Sequence, residues 1–192
     1  MKNKELLMKK KIMAVMVGSL LVNASAYADD KGWRFLAGKE EGFVLAPTAS
    51  LMAGVMSPKD GDSGKIFGVE MSFNCPLLQP PTNKIRQQVS LTRYDENGAK
   101  VSSIEINPHY VVEVSPGLSI GGGPGLGYVY VDTNAKNTGM FAVQLGASAH
   151  YNLTEQVFVG GELRYQLTEN KSLGTTDGFD NWRSAIKLGF SF

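Results

Sequence analysis

Charged side chains recur at alternate positions in segments that are otherwise apolar. Glu162 and Arg164 lie two residues apart, and Arg183 and Lys187 lie four apart near the end of the sequence. A period of two places such residues on one face of a β-strand. If that face meets a narrow interior, each charge needs an opposite partner, because taking an ion out of water is costly. We therefore predict a network of buried ion pairs.

The same periodicity extends the predicted network to other segments. Its predicted members are Glu70, Arg86, Glu105, Glu113, Glu162, Arg164, Arg183 and Lys187. One role open to them is a set of structural salt bridges that fills the interior. The other is the lining of a gated ion path, since charged side chains can set ion selectivity. We favour the structural role, because an unpaired charge in a narrow interior would be unstable.

Two further groups contain residue types found in active sites. Ser148, His150 and Glu162 are predicted to share the inward face, and they are the types of a nucleophile, a base and an acid. Cys75 is the only cysteine, so no internal disulfide and no metal site of the cysteine type is expected. We expect no catalytic residue, no cofactor and no bound metal.

A stripe of glycines occupies alternate positions of one segment, at Gly121, Gly123, Gly125 and Gly127. Its spacing departs from the G-x-G-x-x-G pattern of phosphate-binding loops, and no helical pattern follows it. Glycine inside a strand marks bending or a close approach of other groups. We expect the missing side chains to leave room for larger inward groups on the two neighbouring strands.

Eight segments of alternating character position these residues. They cover residues 48–57, 65–74, 84–94, 101–114, 118–132, 139–152, 157–168 and 182–192. In the last segment Ile186, Leu188 and Phe190 share one face, and Arg183 and Lys187 share the other. Segments of about ten residues cross a bilayer when tilted. Pro108 lies inside the fourth segment and lacks a ladder donor, so we expect a β-bulge there.

The closure of these strands follows from the solvent that surrounds them. The unpaired edges of an open sheet cannot lie in lipid. Eight strands make one of the smallest transmembrane barrels, whose inside is filled by side chains. The predicted fold class is all-β: an eight-stranded antiparallel up-and-down transmembrane β-barrel with a filled polar lumen. A soluble lipocalin-like barrel is the structural alternative, with the two faces inverted.

The connections between the segments alternate in length. Residues 115–117 and 154–156 form tight turns, whereas four other connections are polar loops, at 58–64, 95–100, 133–138 and 169–180. Outer-membrane barrels have short periplasmic turns and longer extracellular loops. This parity places both tight turns and both termini in the periplasm and all four polar loops outside. The long proline-rich link 75–83 is the exception.

The N-terminus carries the pattern of a secretory signal peptide. The first eleven residues contain five lysines, residues 12–22 are apolar, and Ala26 and Ala28 flank Tyr27 in a small-x-small cleavage pattern. We expect cleavage after Ala28, with Met1 or Met8 as the start of translation. The predicted organisation is therefore a signal peptide at 1–28, an extension or an earlier strand start at 29–47, and the barrel at 48–192.

The composition excludes one class of partner. The formal net charge of the 192-residue chain is +1, and no basic patch follows the first eleven residues. Nucleic acid is therefore not an expected partner. Beyond the predicted signal peptide, no apolar run approaches the roughly 18 residues that a membrane-spanning helix needs.

Several segments resemble the small eight-stranded outer-membrane proteins of the OmpA/OmpX type, also called porin-like outer-membrane β-barrel domains. The resemblance covers about residues 43–192, in addition to the signal peptide. It is carried by the turn "YNLTEQV" at 151–157, the strand "GGELRY" at 160–165 and the ending "IKLGFSF" at 186–192. The final aromatic residues, Phe190 and Phe192, also resemble the C-terminal signal that bacterial outer-membrane barrels present to their assembly machinery.

The resemblance implies a location in the outer membrane, with outer-membrane lipids and the barrel-assembly machinery as partners. Members of this family serve as structural proteins, adhesins or narrow pores, and the fold does not choose among them. We expect a structural or adhesin-like role, in which an extracellular ligand contacts the loops. A narrow pore for ions or small solutes is the first alternative.

A lipid-modifying enzyme is the second alternative. An eight-stranded lipid A deacylase also uses Ser, His and Glu. Its motif has His two residues before Ser, however, whereas Ser148 here precedes His150. The triad of that enzyme also faces lipid, whereas Ser148 and His150 are predicted to face the lumen. We therefore expect that this chain is not an enzyme.

Overall fold

Eight antiparallel strands close into a barrel, each paired with the next along the chain and the last with the first. The structure is a computed structural model that describes residues 32–80, 84–96, 98–134, 136–174 and 177–192. The barrel strands are β2 Thr48–Pro58, β3 Gly64–Asn74, β5 Ile85–Glu96, β6 Ala99–Ser115, β7 Leu118–Thr133, β8 Asn137–Asn152, β9 Val157–Thr168 and β10 Asn181–Ser191. The predicted fold class is confirmed. The predicted signal peptide 1–28 lies outside the described residues.

The two faces of the strands are oriented as the alternation predicts. In β10 the side chain of Ile186 is 72% exposed, whereas Arg183 and Lys187 are each 2% exposed. The same alternation of exposed apolar and buried polar residues runs through β3 and β6. The apolar face therefore points outward to lipid, and the lipocalin-like alternative with inverted faces is wrong.

Aromatic residues mark the two ends of the outward apolar band. Tyr165 and Trp182 lie side by side at the loop end, with ring centroids 4.7 Å apart. Phe190 and Tyr151 are exposed near the other end of the barrel. Such girdles are usual at the two interfaces of an outer-membrane barrel.

No helix within the described ranges is long and apolar enough to cross a membrane.

The register around Pro108 differs from the prediction. Pro108 pairs with Gln87 of β5 without a register change, so no bulge occurs there. On the β7 side the same register continues past Pro108, which places it opposite Pro124. Pro108 and Pro124, which both lack an N–H, therefore face each other. The hydrogen-bond ladder between β6 and β7 lacks donors at this one position, and neither strand needs the extra residue of a bulge there. The register shift in β6 lies instead between Glu113 and Ser115.

The proline-rich link is held against the segment that precedes the barrel. Strand β1 (Arg34–Phe35) pairs with β4 (Leu78–Gln79), and a 3₁₀-helix follows at Ala37–Lys39. The fully buried Gln79 donates to the carbonyl oxygens of Cys75 (3.1 Å) and Ile85 (2.6 Å). Cys75 is buried beside it. This ribbon lies at the end of the barrel where the short turns are, and the first barrel strand begins at Thr48.

The orientation of β10 predicts a depth-dependent cost for outward charges. Ile186 lies four residues from each girdle residue of its strand, Trp182 and Phe190, which places it near the bilayer midplane. We expect Ile186→Arg to lower the free energy of unfolding by about 2–4 kcal/mol. Urea titration of protein refolded into lipid vesicles measures this quantity.

Ser57→Arg is the matched control, because Ser57 pairs with Trp182 at the loop end of the neighbouring strand. Arginine close to the interface is expected to cost only about 0–1 kcal/mol. Equal costs at Ile186 and Ser57 would contradict the assigned membrane depth.

Candidate functional site in the barrel lumen

One buried cluster of charges is centred on Glu162 of β9. The Lys187 ammonium of β10 lies 2.7 Å from Glu70 Oε2 and 2.8 Å from Glu162 Oε2. Arg164 donates to the same Glu162 carboxylate, from Nη2 at 2.7 Å and from Nε at 3.1 Å. Glu162 and Arg164 face the lumen from β9, and Glu70 reaches it from β3. Lys187 therefore joins a carboxylate of the neighbouring strand β9 to a carboxylate of β3, which lies two strands away on its other side.

A second cluster of charges lies beside the first. Arg183 donates to both oxygens of Glu105, from Nη1 at 2.7 Å and from Nη2 at 2.5 Å. This bidentate geometry is that of the strongest charge-assisted pairs. Ser103 also donates to Glu105, at 2.8 Å. Arg183 Nη2 lies 3.7 Å from Glu162 Oε1, so the two clusters form one network.

Burial and charge balance set the energetics of this network. Its three carboxylates and three cations have side chains that are at most 3% exposed. Removing such groups from water is costly, and the cost is offset only when each charge is paired and hydrogen-bonded. Each charge has an opposite partner within 2.8 Å, and the equal numbers leave no net charge at the centre of the lumen, although Arg164 Nη1 and Arg183 Nε make no hydrogen bond to a described residue.

Two predicted members lie outside this network. Arg86 sits at the periplasmic mouth of the lumen and donates to neutral acceptors, including Ser72 Oγ and Ala46 O at 3.0 Å each. Glu113 is exposed, and its carboxylate accepts from the Gly117 N–H at 3.1 Å. The prediction that Glu113 faces the lumen is wrong, because β6 has passed the end of the barrel interior there and the register shifts after it.

The possible catalytic group is not assembled. Ser148 Oγ lies 3.1 Å from Nδ1 of His109, not of His150. His150 packs edge-on against Phe158, with ring centroids 5.6 Å apart. The Glu162 carboxylate is engaged by cations. Within the described part of the chain, no group of three or more His, Cys, Asp or Glu side chains could hold a metal ion.

Amide side chains extend the polar network, and the prediction omitted them. Gln144 donates to Asn107 Oδ1 at 2.8 Å, and Asn181 donates to Gln166 Oε1 at 2.9 Å. These amide residues occupy alternate positions on the same strand faces as the charged residues. That shared periodicity is the sequence signal that could have identified them. The stripe glycine Gly125 makes space here, since a Cβ would collide with Asn107 and Gln144. The expectation of room for inward groups on both neighbouring strands is confirmed at Gly125, whereas at Gly123 a Cβ would collide with the backbone of Pro108.

The extracellular part of the lumen is apolar, which the prediction of a polar lumen missed. A cluster of buried side chains fills it: Met52, Met56, Ile66, Tyr94, Val101, Val129, Val131, Met140, Ala142, Leu173, Phe179 and Ala185. Leu173 and Phe179 belong to the β9–β10 loop, so this loop folds into the mouth of the barrel. We call this cluster the apolar plug. The sequence contains a signal for part of this plug. Val129 and Val131 alternate with the outward Tyr128 and Tyr130, so strand parity places both valines in the lumen.

Hydrogen bonds hold the β9–β10 loop in the mouth. The Thr168 N–H donates to Asp180 Oδ1 at 2.9 Å, and the Phe179 N–H donates to Thr168 Oγ1 at 2.6 Å. Glu169 accepts from the Phe141 N–H at 3.0 Å. That backbone hydrogen bond and the nearby Lys171 lower the pKa of Glu169. The loop is therefore fixed to both strands that it connects and to β8.

The lumen thus has three layers along its axis. A periplasmic cavity of about 220 Å³ is lined by Arg86 and His150 and ends at Glu70. The charge network lies above it, and the apolar plug lies at the extracellular mouth. Water and ions that enter from the periplasm reach the first layer and meet filled space beyond it. Among the described residues, this arrangement holds the barrel shut above the periplasmic cavity.

Comparison with known proteins gives a consistent result. A family model described as outer membrane protein beta-barrel domain matches residues 17–192. The crystal structure of neisserial surface protein A is 18% identical, with a TM-score of 0.52 over 77% of this chain and 97% of that one. The N-terminal β-barrel domain of OprF from Pseudomonas aeruginosa is 17% identical, with a TM-score of 0.50 over 76% of this chain and 97% of that one. No curated protein sequence matches the chain. At these identities the two structures are evidence for the fold alone.

The position of Glu162 predicts a large cost for its removal. Glu162→Ala leaves Arg164 with Gln88 Oε1, at 3.4 Å, as its remaining side-chain acceptor. An uncompensated buried charge is expected to lower the free energy of unfolding by about 3–5 kcal/mol. Urea titration in lipid vesicles measures the change.

Glu113→Ala removes the same side chain at an exposed site, where it loses one hydrogen bond to Gly117. The expected cost there is about 1 kcal/mol. If Glu162→Ala costs no more than this control, the lumen charges are solvated and the network has no structural role.

Proposed function

Because the chain belongs to the outer membrane protein β-barrel family, we propose that it is a closed barrel of the outer membrane that acts through its extracellular loops. The observation that carries this proposal is the filling of the lumen by two successive layers, the charge network and the apolar plug. The outward face lies in outer-membrane lipid. A barrel that is shut in this way serves as a structural protein or presents a surface for interaction.

The geometry of the loops supports a surface-interaction role. Four connections lie at the end of the barrel opposite the termini of the barrel, and the longest of them, between Thr168 and Asn181, joins β9 to β10. Asp60, Lys136 and Asn134 are exposed in two of them. A rigid barrel that holds exposed polar loops is a common arrangement for binding, because loops on a fixed scaffold carry recognition. We propose an adhesin-like contact with an extracellular ligand at these loops.

We propose no enzymatic activity for the chain. Ser148 is 7% exposed and its partner His109 is fully buried, so neither can meet a lipid or a solute. The carboxylate that would orient a base is Glu162, and Arg164 and Lys187 already hold it. A nucleophile needs a base and an approach for its substrate. The interior of this barrel provides no such approach.

Export and assembly complete the proposal. We propose that residues 1–28 are removed on export and that the assembly machinery recognises the end of β10 through Phe190 and Phe192. Both aromatic side chains are exposed, which leaves them available for contact. Intact-mass measurement of the membrane-extracted protein should give a chain that begins at Asp29. A mass that includes residues 1–28 would reject the cleavage.

The closed lumen predicts the electrical behaviour of the protein. Refolded into a planar lipid bilayer, the unmodified protein should show no steady conductance on the nanosiemens scale, because the charge network and the apolar plug leave no continuous aqueous path. Single-channel recording tests this expectation. Steady nanosiemens conductance would overturn the closed barrel and favour the narrow pore, for which the periplasmic cavity would be one vestibule.

The loop proposal predicts a separable loss of binding. Asp60→Asn, Asn134→Ala and Lys136→Gln together should weaken the attachment of expressing cells to host-cell surfaces, because they change loop chemistry and leave the barrel wall intact. A cell-adhesion assay measures the effect. The matched control is Lys39→Gln/Glu155→Gln/Gln156→Ala at the periplasmic end, which likewise removes one cation, one carboxylate and one amide. Equal adhesion by the loop variant and the unmodified protein would contradict a role for these loop residues.

A further inference from the structure

Three cations face outward at the extracellular end of neighbouring strands. They are Lys65 of β3, Arg93 of β5 and Lys100 of β6, and all three are exposed. On β3 and β5 the next outward residue toward the bilayer centre is apolar, Phe67 and Leu91 respectively. The cations therefore stand directly above the apolar band, at the level of the outer-leaflet headgroups.

The strand register brings the three charges together. Arg93 pairs with Phe67 on one side and with Ser102 on the other. Lys65 and Lys100 each lie two residues from those partners, so each is a diagonal neighbour of Arg93, about 7–8 Å away. Like charges at this spacing repel one another, and an anion placed between them would remove the repulsion.

Among the described residues, these three cations form no ion pair. In the described part of the chain, no carboxylate lies within ion-pair distance of Lys65, Arg93 or Lys100. Asp95 is paired in register with Lys100 on the side nearer the loops, yet the two side chains form no ion pair. An anion is therefore expected on the bilayer side of Asp95, beside Arg93.

Outward cations on the barrel wall are grouped on three adjacent strands. At the same level on other strands, the outward residues Trp182 of β10 and Ser57 of β2 are uncharged. Another cation at this end, Lys171, belongs to a loop, where its ammonium donates to Gly139 O at 2.8 Å and lies 3.0 Å from Glu169 Oε2. Lys65, Arg93 and Lys100 differ from Lys171 because they lie on the barrel wall and have no such ion pair with a described residue.

We propose that Lys65, Arg93 and Lys100 bind the phosphate groups of lipopolysaccharide in the outer leaflet. The guanidinium fork of Arg93 matches a phosphate bidentately, and the two lysines add point charges on either side. Phe67 and Leu91, just below, provide an apolar surface for the acyl chains of the same lipid. The adjoining apolar surface favours a lipid phosphate over a phosphate that is free in water.

The test compares two triple variants of equal charge. The first is Lys65→Gln/Arg93→Gln/Lys100→Gln, and the control is Arg34→Gln/Lys39→Gln/Lys84→Gln, which removes one arginine and two lysines at the periplasmic end. Each full-length protein is refolded in phosphatidylcholine nanodiscs, and its binding of purified lipopolysaccharide is titrated. We expect the first variant to bind about tenfold more weakly or worse, which corresponds to about 1.4 kcal/mol, and the control to bind like the unmodified protein.

Three results would overturn the proposal. Equal loss in both triple variants would show a general charge effect. Equal binding of phosphatase-treated lipopolysaccharide would exclude the phosphate groups as the ligand. Competition by inorganic phosphate at the same concentration as lipopolysaccharide would assign the site to free phosphate and not to a lipid. Resistance of the folded barrel to sodium dodecyl sulfate, checked by gel mobility, shows that both variants retain the fold.

Discussion

The absence of water in the hydrocarbon layer is the constraint on which the rest of the structure depends. Backbone N–H and C=O groups have no partners there, so every strand has to pair on both edges. The pairing of β10 with β2, from Asn181 to Ser191, closes the ring. Once the ring is closed, the two-residue period of a strand divides its side chains between lipid and a narrow interior. The apolar outer face and the crowded lumen both follow from this division.

The narrow interior then determines which side chains can meet. Eight strands leave space that side chains fill, so a long cation on one strand reaches a carboxylate on the far wall. Arg183 of β10 and Glu105 of β6, on opposite walls of the ring, are 78 residues apart in sequence, and Arg183 Nη1 lies 2.7 Å from Glu105 Oε1. Room for these long groups comes from small residues on the wall between them. Gly146, for example, faces the Arg164 guanidinium, and a Cβ there would lie 3.1 Å from its Cζ atom.

The sequence predicted the wall of the barrel better than its contents. Strand faces and the side of each loop depend on local parity, and β9 has the predicted bounds, Val157–Thr168. Pairing across the lumen depends on strand tilt and stagger, which parity does not contain. The sequence therefore indicated that Arg183 and Glu105 belong to one network but not that they pair bidentately from opposite walls. The apolar plug was missed for another reason: parity places Val129 and Val131 in the lumen, but Leu173 and Phe179 come from a loop, which has no strand parity to reveal that it folds inward.

The order of the layers limits what the interior can do. An opening would require the β9–β10 loop to withdraw Leu173 and Phe179 and the buried ion pairs to separate. Separating those pairs exposes charges to a partly apolar lumen, which is costly for each ion. Withdrawing the loop alone would leave the network shut, and breaking the network alone would leave the plug in place. Two independent seals in series make the loops and the outer surface, and not the lumen, the parts of this barrel that are free to vary in function.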